Sequence, residues 1–234
     1  MVRLSRQRPV RAGVALAAAG ALALLSAPSV ASAQFPGLPV VENGFVHAGR
    51  VGAFNLGLTE GSTAYVAAGS WVPESERWKV VAGAGYLSRE PGDGAIAGGV
   101  RAAYPLDFFG ANEATSPFGM AAFVGTGGFT SGGVTTLTVP AGVGVGYRST
   151  LGRTRAFAIS GAPYFGYTRA WGTDEGTDLE VEASSFVLRL GVGVDFSFTP
   201  RVGLSAGLDF GVDPSPGDPG SRGTVLGLGA GFRF

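Results

Sequence analysis

The sequence predicts an all-β fold, a single antiparallel up-and-down barrel that crosses a membrane, with ten strands as the best count and eight as the alternative. Three observations point there. The final segment, 224–234, alternates in character: Leu226, Leu228, Ala230, Phe232 and Phe234 share one face, while Gly227, Gly229, Gly231 and Arg233 share the other. Mean hydropathy is positive, yet no uninterrupted apolar run reaches the length a membrane helix needs. Glycine supplies 41 of 234 residues, which disfavours helices throughout. A barrel reconciles all three, because half of each strand can face lipid while the other half stays small or polar.

At the start of the chain, Arg3, Arg6, Arg8 and Arg11 precede an apolar stretch over 14–27 and the small-residue site Ala31-Ser32-Ala33. This is the pattern of a secretory signal peptide over 1–33, cleaved after Ala33. The apolar stretch is too short for an uncleaved membrane helix. Residues 34–44, with Pro36 and Pro39, read as a short periplasmic lead-in, and 45–234 as the barrel domain. Removing the leader leaves 13 basic against 17 acidic residues. No clustered basic stripe remains, so nucleic-acid binding is excluded as a class. The absence of cysteine removes disulfides, thiolate nucleophiles, cysteine metal ligands and a lipoprotein acylation site.

Ten strand-like segments follow in order: 45–56, 63–72, 78–87, 95–104, 118–129, 135–148, 156–168, 184–198, 201–211 and 224–234. The first four carry a looser alternation among small residues. In the sixth, Leu137, Val139, Ala141, Val143, Val145 and Tyr147 oppose Thr138, Pro140, Gly142, Gly144, Gly146 and Arg148. In the eighth, Phe186, Leu188, Leu190, Val192, Val194, Phe196 and Phe198 oppose a face holding Arg189 and Asp195. In the ninth, Val202, Leu204, Ala206, Leu208 and Phe210 oppose a face holding Asp209. A soluble lipocalin-like barrel also alternates, but it would turn these glycine-rich faces to water, where they solubilise poorly. Aromatic residues near segment ends, among them Trp71, Trp78, Tyr86, Tyr104, Phe118, Tyr147, Phe157, Tyr167 and Phe198, sit where interfacial girdles belong.

With both termini on one side, short turns are expected after even-numbered strands and longer outward loops after odd ones. Segments 73–77, 149–155 and 199–200 fit the short class, whereas 105–117 is long. The outward set is 57–62, 88–94, 130–134, 171–183 and 212–223, with the last two the longest.

The leader, the glycine-rich amphipathic strands and the ending Gly231-Phe232-Arg233-Phe234 together resemble small Gram-negative outer-membrane β-barrels of the OmpA/OmpX-like group, over essentially the whole mature chain. The resemblance implies outer-membrane location and a porin-type barrel in contact with lipid and lipopolysaccharide. It also implies that Leu228, Phe232 and Phe234 form the signal read by the barrel-assembly machinery. The best-known members have eight strands, so a count of ten departs from them. The group includes adhesins, stability factors, small channels and a few enzymes.

For chemistry the candidates are few. His47 is the lone histidine, and membrane-embedded lipid hydrolases use a histidine beside a serine. No serine lies near it in sequence, so the expectation is no catalytic residue, no cofactor and no bound metal. Inward charges form the remaining constellation: Lys79, Arg101, Arg148, Arg189 and Arg233 against Asp195 and Asp209. They are expected either to plug a narrow lumen as ion pairs or to line a weakly anion-attracting pore. Arg189 and Asp209 fall diagonally across one tight turn, as a structural pair would. The acids Asp174, Glu175, Asp178, Glu180 and Glu182 read as a solvated loop tip without EF-hand spacing. The expected role is non-enzymatic, structural or surface-interacting, in a monomer; a diffusion channel and a lipid hydrolase are the alternatives.

Overall fold

The computed structural model describes residues 49–59, 62–72, 77–89, 94–106, 116–151, 155–212 and 224–233. They form ten strands: β1 (Gly49–Thr59), β2 (Ser62–Val72), β3 (Lys79–Arg89), β4 (Ala95–Pro105), β5 (Phe118–Ser131), β6 (Val134–Leu151), β7 (Arg155–Asp174), β8 (Leu179–Ser197), β9 (Val202–Gly211) and β10 (Val225–Arg233). Each pairs antiparallel with its sequence neighbours, and β10 closes on β1 from Val51↔Arg233 to Leu58↔Leu226. The count is ten, not eight. Following partners once round the ten ladders returns to β1 twelve residues along. At ordinary rise and strand spacing that stagger tilts the strands by about 40°.

Alternation decides which face looks where. Phe54 and Ile96 are 66% and 79% exposed, and Val100, Val124, Val194, Leu204, Leu208 and Leu228 join them outside. Inside stand Val66, Val81, Ala103, Ala121, Phe123, Ala162 and Val225, all buried. The exposed large apolar side chains thus form the outer face, while the inward rows are mostly small or polar with a few large exceptions such as Phe123, the reverse of a soluble barrel.

Aromatic residues gather at two levels of the outer surface. Near the end bearing the β8–β9 turn, Trp78 lies 5.0 Å from Tyr104, Phe118 5.2 Å from Tyr147, and Phe196 4.8 Å from Phe198 between ring centres. At the other level Phe165 stacks on Phe186 at 5.2 Å. Phe157 and Phe165 are eight residues apart on one strand, so the two levels are roughly 20 Å apart along the axis at this tilt.

Two expectations about the connections are overturned. Segment 171–183 is not a loop: β7 and β8 continue pairing to Asp174↔Leu179, leaving only 175–178 as the turn. There Gly176 N–H donates to Asp174 Oδ1 at 2.9 Å, Asp178 N–H donates to the Asp174 carbonyl at 2.8 Å, and Asp178 takes φ 52°. Acidic and glycine content suggested a loop, but period-two pairing needs only alternation, and water accepts charge on both faces. Nor are all connections after odd strands long, although the 13 residues between Gly211 and Val225 do make the longest of all. Only two residues separate Thr59 from Ser62 and Ser131 from Val134. In the second turn Gly132 and Gly133 take φ 55° and 77°, both positive as a tight hairpin of right-handed twist requires.

Prolines stand inside two strands and interrupt a ladder each. β5 and β6 pair on either side of Val139 and Pro140, and β6 and β7 on either side of Ala162 and Pro163. Proline offers no N–H to a neighbour, so these gaps follow from its chemistry.

Candidate functional site in the barrel lumen

Strand parity turns Lys79, Arg101, Arg148, Arg189, Asp195, Asp209 and Arg233 inward, each on the face opposite an exposed apolar row. Leu228 and Phe232 face outward and are exposed. Ala31, Ala33, His47 and Phe234 lie outside the described residues, as do the leader and the lead-in.

All of these inward charges except Arg148, which joins neither, divide into two groups along the axis. The first is a buried cluster in the half nearer the 132–133 and 175–178 turns. Arg189 Nε donates to Asp209 Oδ1 at 3.0 Å, with the side chains 3% and 0% exposed. Tyr164 Oη donates to the other carboxylate oxygen, Oδ2. Register explains the meeting: Tyr164 is directly opposite Arg189, and Arg189 is diagonal to Asp209, whose partner is Gly191. Phe123 packs 6.0 Å from the Tyr164 ring. The carboxylate is thus held by a cation at one oxygen and a phenol at the other, the kind of pairing and hydrogen bonding under which a buried ion pair is tolerated.

Tyr164 carried no role in the sequence reading. The signal was present: on its inward face, Ala156, Ala158, Ser160, Ala162 and Gly166 are all small, so one large polar residue stands out among them.

The second group surrounds a cavity of about 360 Å³ in the half nearer the β8–β9 turn. Lys79, Arg101, Arg201 and Arg233 line it together with Asp195 and Asn55. Arg101 is 3% exposed and reaches over the Phe123 ring at 5.7 Å. On β9, Asp209 stands four residues beyond Ser205 of the cavity wall, and on β8, Arg189 stands six beyond Asp195. The buried cluster therefore lies past the cavity along both strands. Among the described residues no cluster of three or more histidine, cysteine or acidic side chains is placed to hold a metal ion.

The acidic residues of the β7–β8 hairpin are elsewhere. Arg169 NH2 donates to Glu182 Oε1 at 3.0 Å on the outward face. On that face Phe186, Leu188 and Leu190 give way to Ser184, Glu182 and Glu180 as the strand passes the aromatic level.

No family model matches the chain, and no curated protein matches it. Among solved structures it is similar to the translocator domain of the autotransporter NalP from Neisseria meningitidis, at 12% identity and TM-score 0.48, covering 96% of this chain and 98% of that one. It is also similar to the N-terminal β-barrel domain of Pseudomonas aeruginosa OprF, at 11% identity and TM-score 0.34, covering 80% and 98%. The attachment invasion locus protein Ail of Yersinia pestis matches at 12% identity and TM-score 0.31, covering 80% and 100%. These are likenesses of barrel to barrel, and the fold itself rests on the strand pairings above.

Proposed function

We infer that this chain is a small outer-membrane β-barrel protein, non-enzymatic and monomeric, with a structural or surface-interaction role. One observation carries the reading: a continuous apolar outer surface, with Phe54, Val100, Val124, Leu204 and Leu228 exposed between two aromatic levels. In water such a patch would drive aggregation; against acyl chains it is the required surface. Lipid is then the partner at mid-height and lipopolysaccharide at the rim from which the acidic hairpin rises. The terminal strand, with Leu228, Phe232 and Phe234, is the segment offered to the assembly machinery, and export proceeds through the cleaved leader.

The lumen reading follows from the Tyr164–Asp209–Arg189 cluster, which supports a plugged barrel. A narrow diffusion channel is the second reading, favoured by the 360 Å³ cavity that already opens one half. Planar-bilayer recordings of the refolded chain from Gln34, after heat-modifiable migration has verified folding, separate the two. Silence is expected. Discrete conductance steps that shift with Arg101→Gln would establish the channel instead.

A further inference from the structure

Among the charged side chains lining the hollow half of the lumen, cations outnumber acids. Lys79, Arg101, Arg201 and Arg233 face it against one lining carboxylate, Asp195. The lining set as a whole, four cations and one carboxylate, is net positive, and low-dielectric walls focus such a potential. A second observation is independent of charge. Asn55 lines the same cavity, and its Nδ2 is buried with no hydrogen-bond partner among the described residues. A buried donor left unmet is costly, and native interiors seldom tolerate one without an acceptor arriving from elsewhere. The wall here is also kept thin: Asn55 and Ser205 flank Gly229 across two ladders, and a Cβ on Gly229 would lie 2.5 Å from both side-chain oxygens. The glycine thus leaves room for the Asn55 and Ser205 side chains to lie over it. Beyond the cavity along β8 and β9 stands the buried Tyr164–Asp209–Arg189 cluster, which bounds it on that side.

We propose that this pocket binds a small multivalent oxyanion, with Arg101 and Asn55 at its inner end and Lys79 and Arg233 toward its mouth. Phosphoanions and di- or tricarboxylates share the needed chemistry: several acceptor oxygens and at least two negative charges in a volume well under 360 Å³. The proposal stands apart from the question of conductance, since a silent barrel can bind an anion and a conducting one need not.

The test is isothermal titration calorimetry of the refolded chain from Gln34 in a zwitterionic detergent, with pyrophosphate and citrate as separate probes and glucose as the neutral control. The expected result is saturable one-site binding of at least one anion, weakening as sodium chloride rises. Arg101→Gln should weaken it tenfold or more. Because Arg101 is buried and its replacement can impair folding, Lys79→Gln and Asn55→Leu, each expected to weaken binding at least threefold, carry the same test in barrels checked by heat-modifiable migration. Arg169→Gln, on the outward face of the hairpin, should change affinity less than twofold. Absence of saturable heat from both anions would overturn the proposal. So would equal loss with Arg169→Gln, binding indifferent to Lys79 and Asn55, or comparable binding of glucose; preference between pyrophosphate and citrate would name the anion class.

Discussion

Both halves of the lumen are built from arginine and aspartate on glycine-rich walls, yet one half is closed and the other hollow. In the closed half Tyr164 reaches from β7 past Arg189 on β8 to Asp209 on β9, so a single phenol extends a two-member ion pair into a buried bridge over three strands. In the hollow half the facing positions on β7 and β9 are Ser160 and Ser205, whose side chains are too short to cross. The lesson concerns reach rather than charge.

The sharpest way to break this contrast is to remove the carboxylate that the closed half is built around. Asp209→Ala leaves Arg189 buried without its counter-ion and should cost about 3–5 kcal/mol in urea unfolding of the refolded barrel. A loss under 1 kcal/mol would mean the pair is not desolvated. The frame common to both halves is tested next: Val124→Arg, on the lipid-facing belt, should cost about 2–4 kcal/mol in vesicles, and an unchanged midpoint would place that face away from lipid. Tyr164→Phe isolates the bridge itself. Losing a hydrogen bond to a buried carboxylate is worth about 1.5–3 kcal/mol, and the same unfolding series reads it. Smallest is Asp195→Asn in the hollow half, expected below about 1 kcal/mol because water reaches the site; a cost matching Asp209→Ala would erase the distinction.

Much of this was legible in the residues, for identifiable reasons. Period-two alternation assigned Phe186, Leu188 and Leu190 to the outside and Arg189 and Asp195 to the inside, because in a membrane barrel the two faces meet solvents of opposite polarity. The β7–β8 hairpin was misread for the same reason in reverse. Above the aromatic level Glu180 and Glu182 meet water on both faces, so polarity no longer distinguishes strand from loop, and only pairing to Thr173 and Trp171 reveals it. Tyr164 and Asn55 were missed because their significance lies across ladders: Tyr164 matters through Asp209, which is not on a neighbouring strand, and Asn55 through the space beside Gly229. No local spacing encodes either.

The closing ladder between β1 and β10 has a consequence in time. Val51 pairs with Arg233, so the contact that abolishes the last free edges joins positions almost a full chain apart. Contacts of such separation form slowly, since the entropy of the intervening loop must be lost before they contribute anything. Until the final nine-residue strand is delivered and docked, the remaining strands form an open sheet with two unpaired edges and an apolar face. That interval, rather than the finished barrel, is when the protein is most exposed to aggregation, and its length is set by how quickly β10 finds β1.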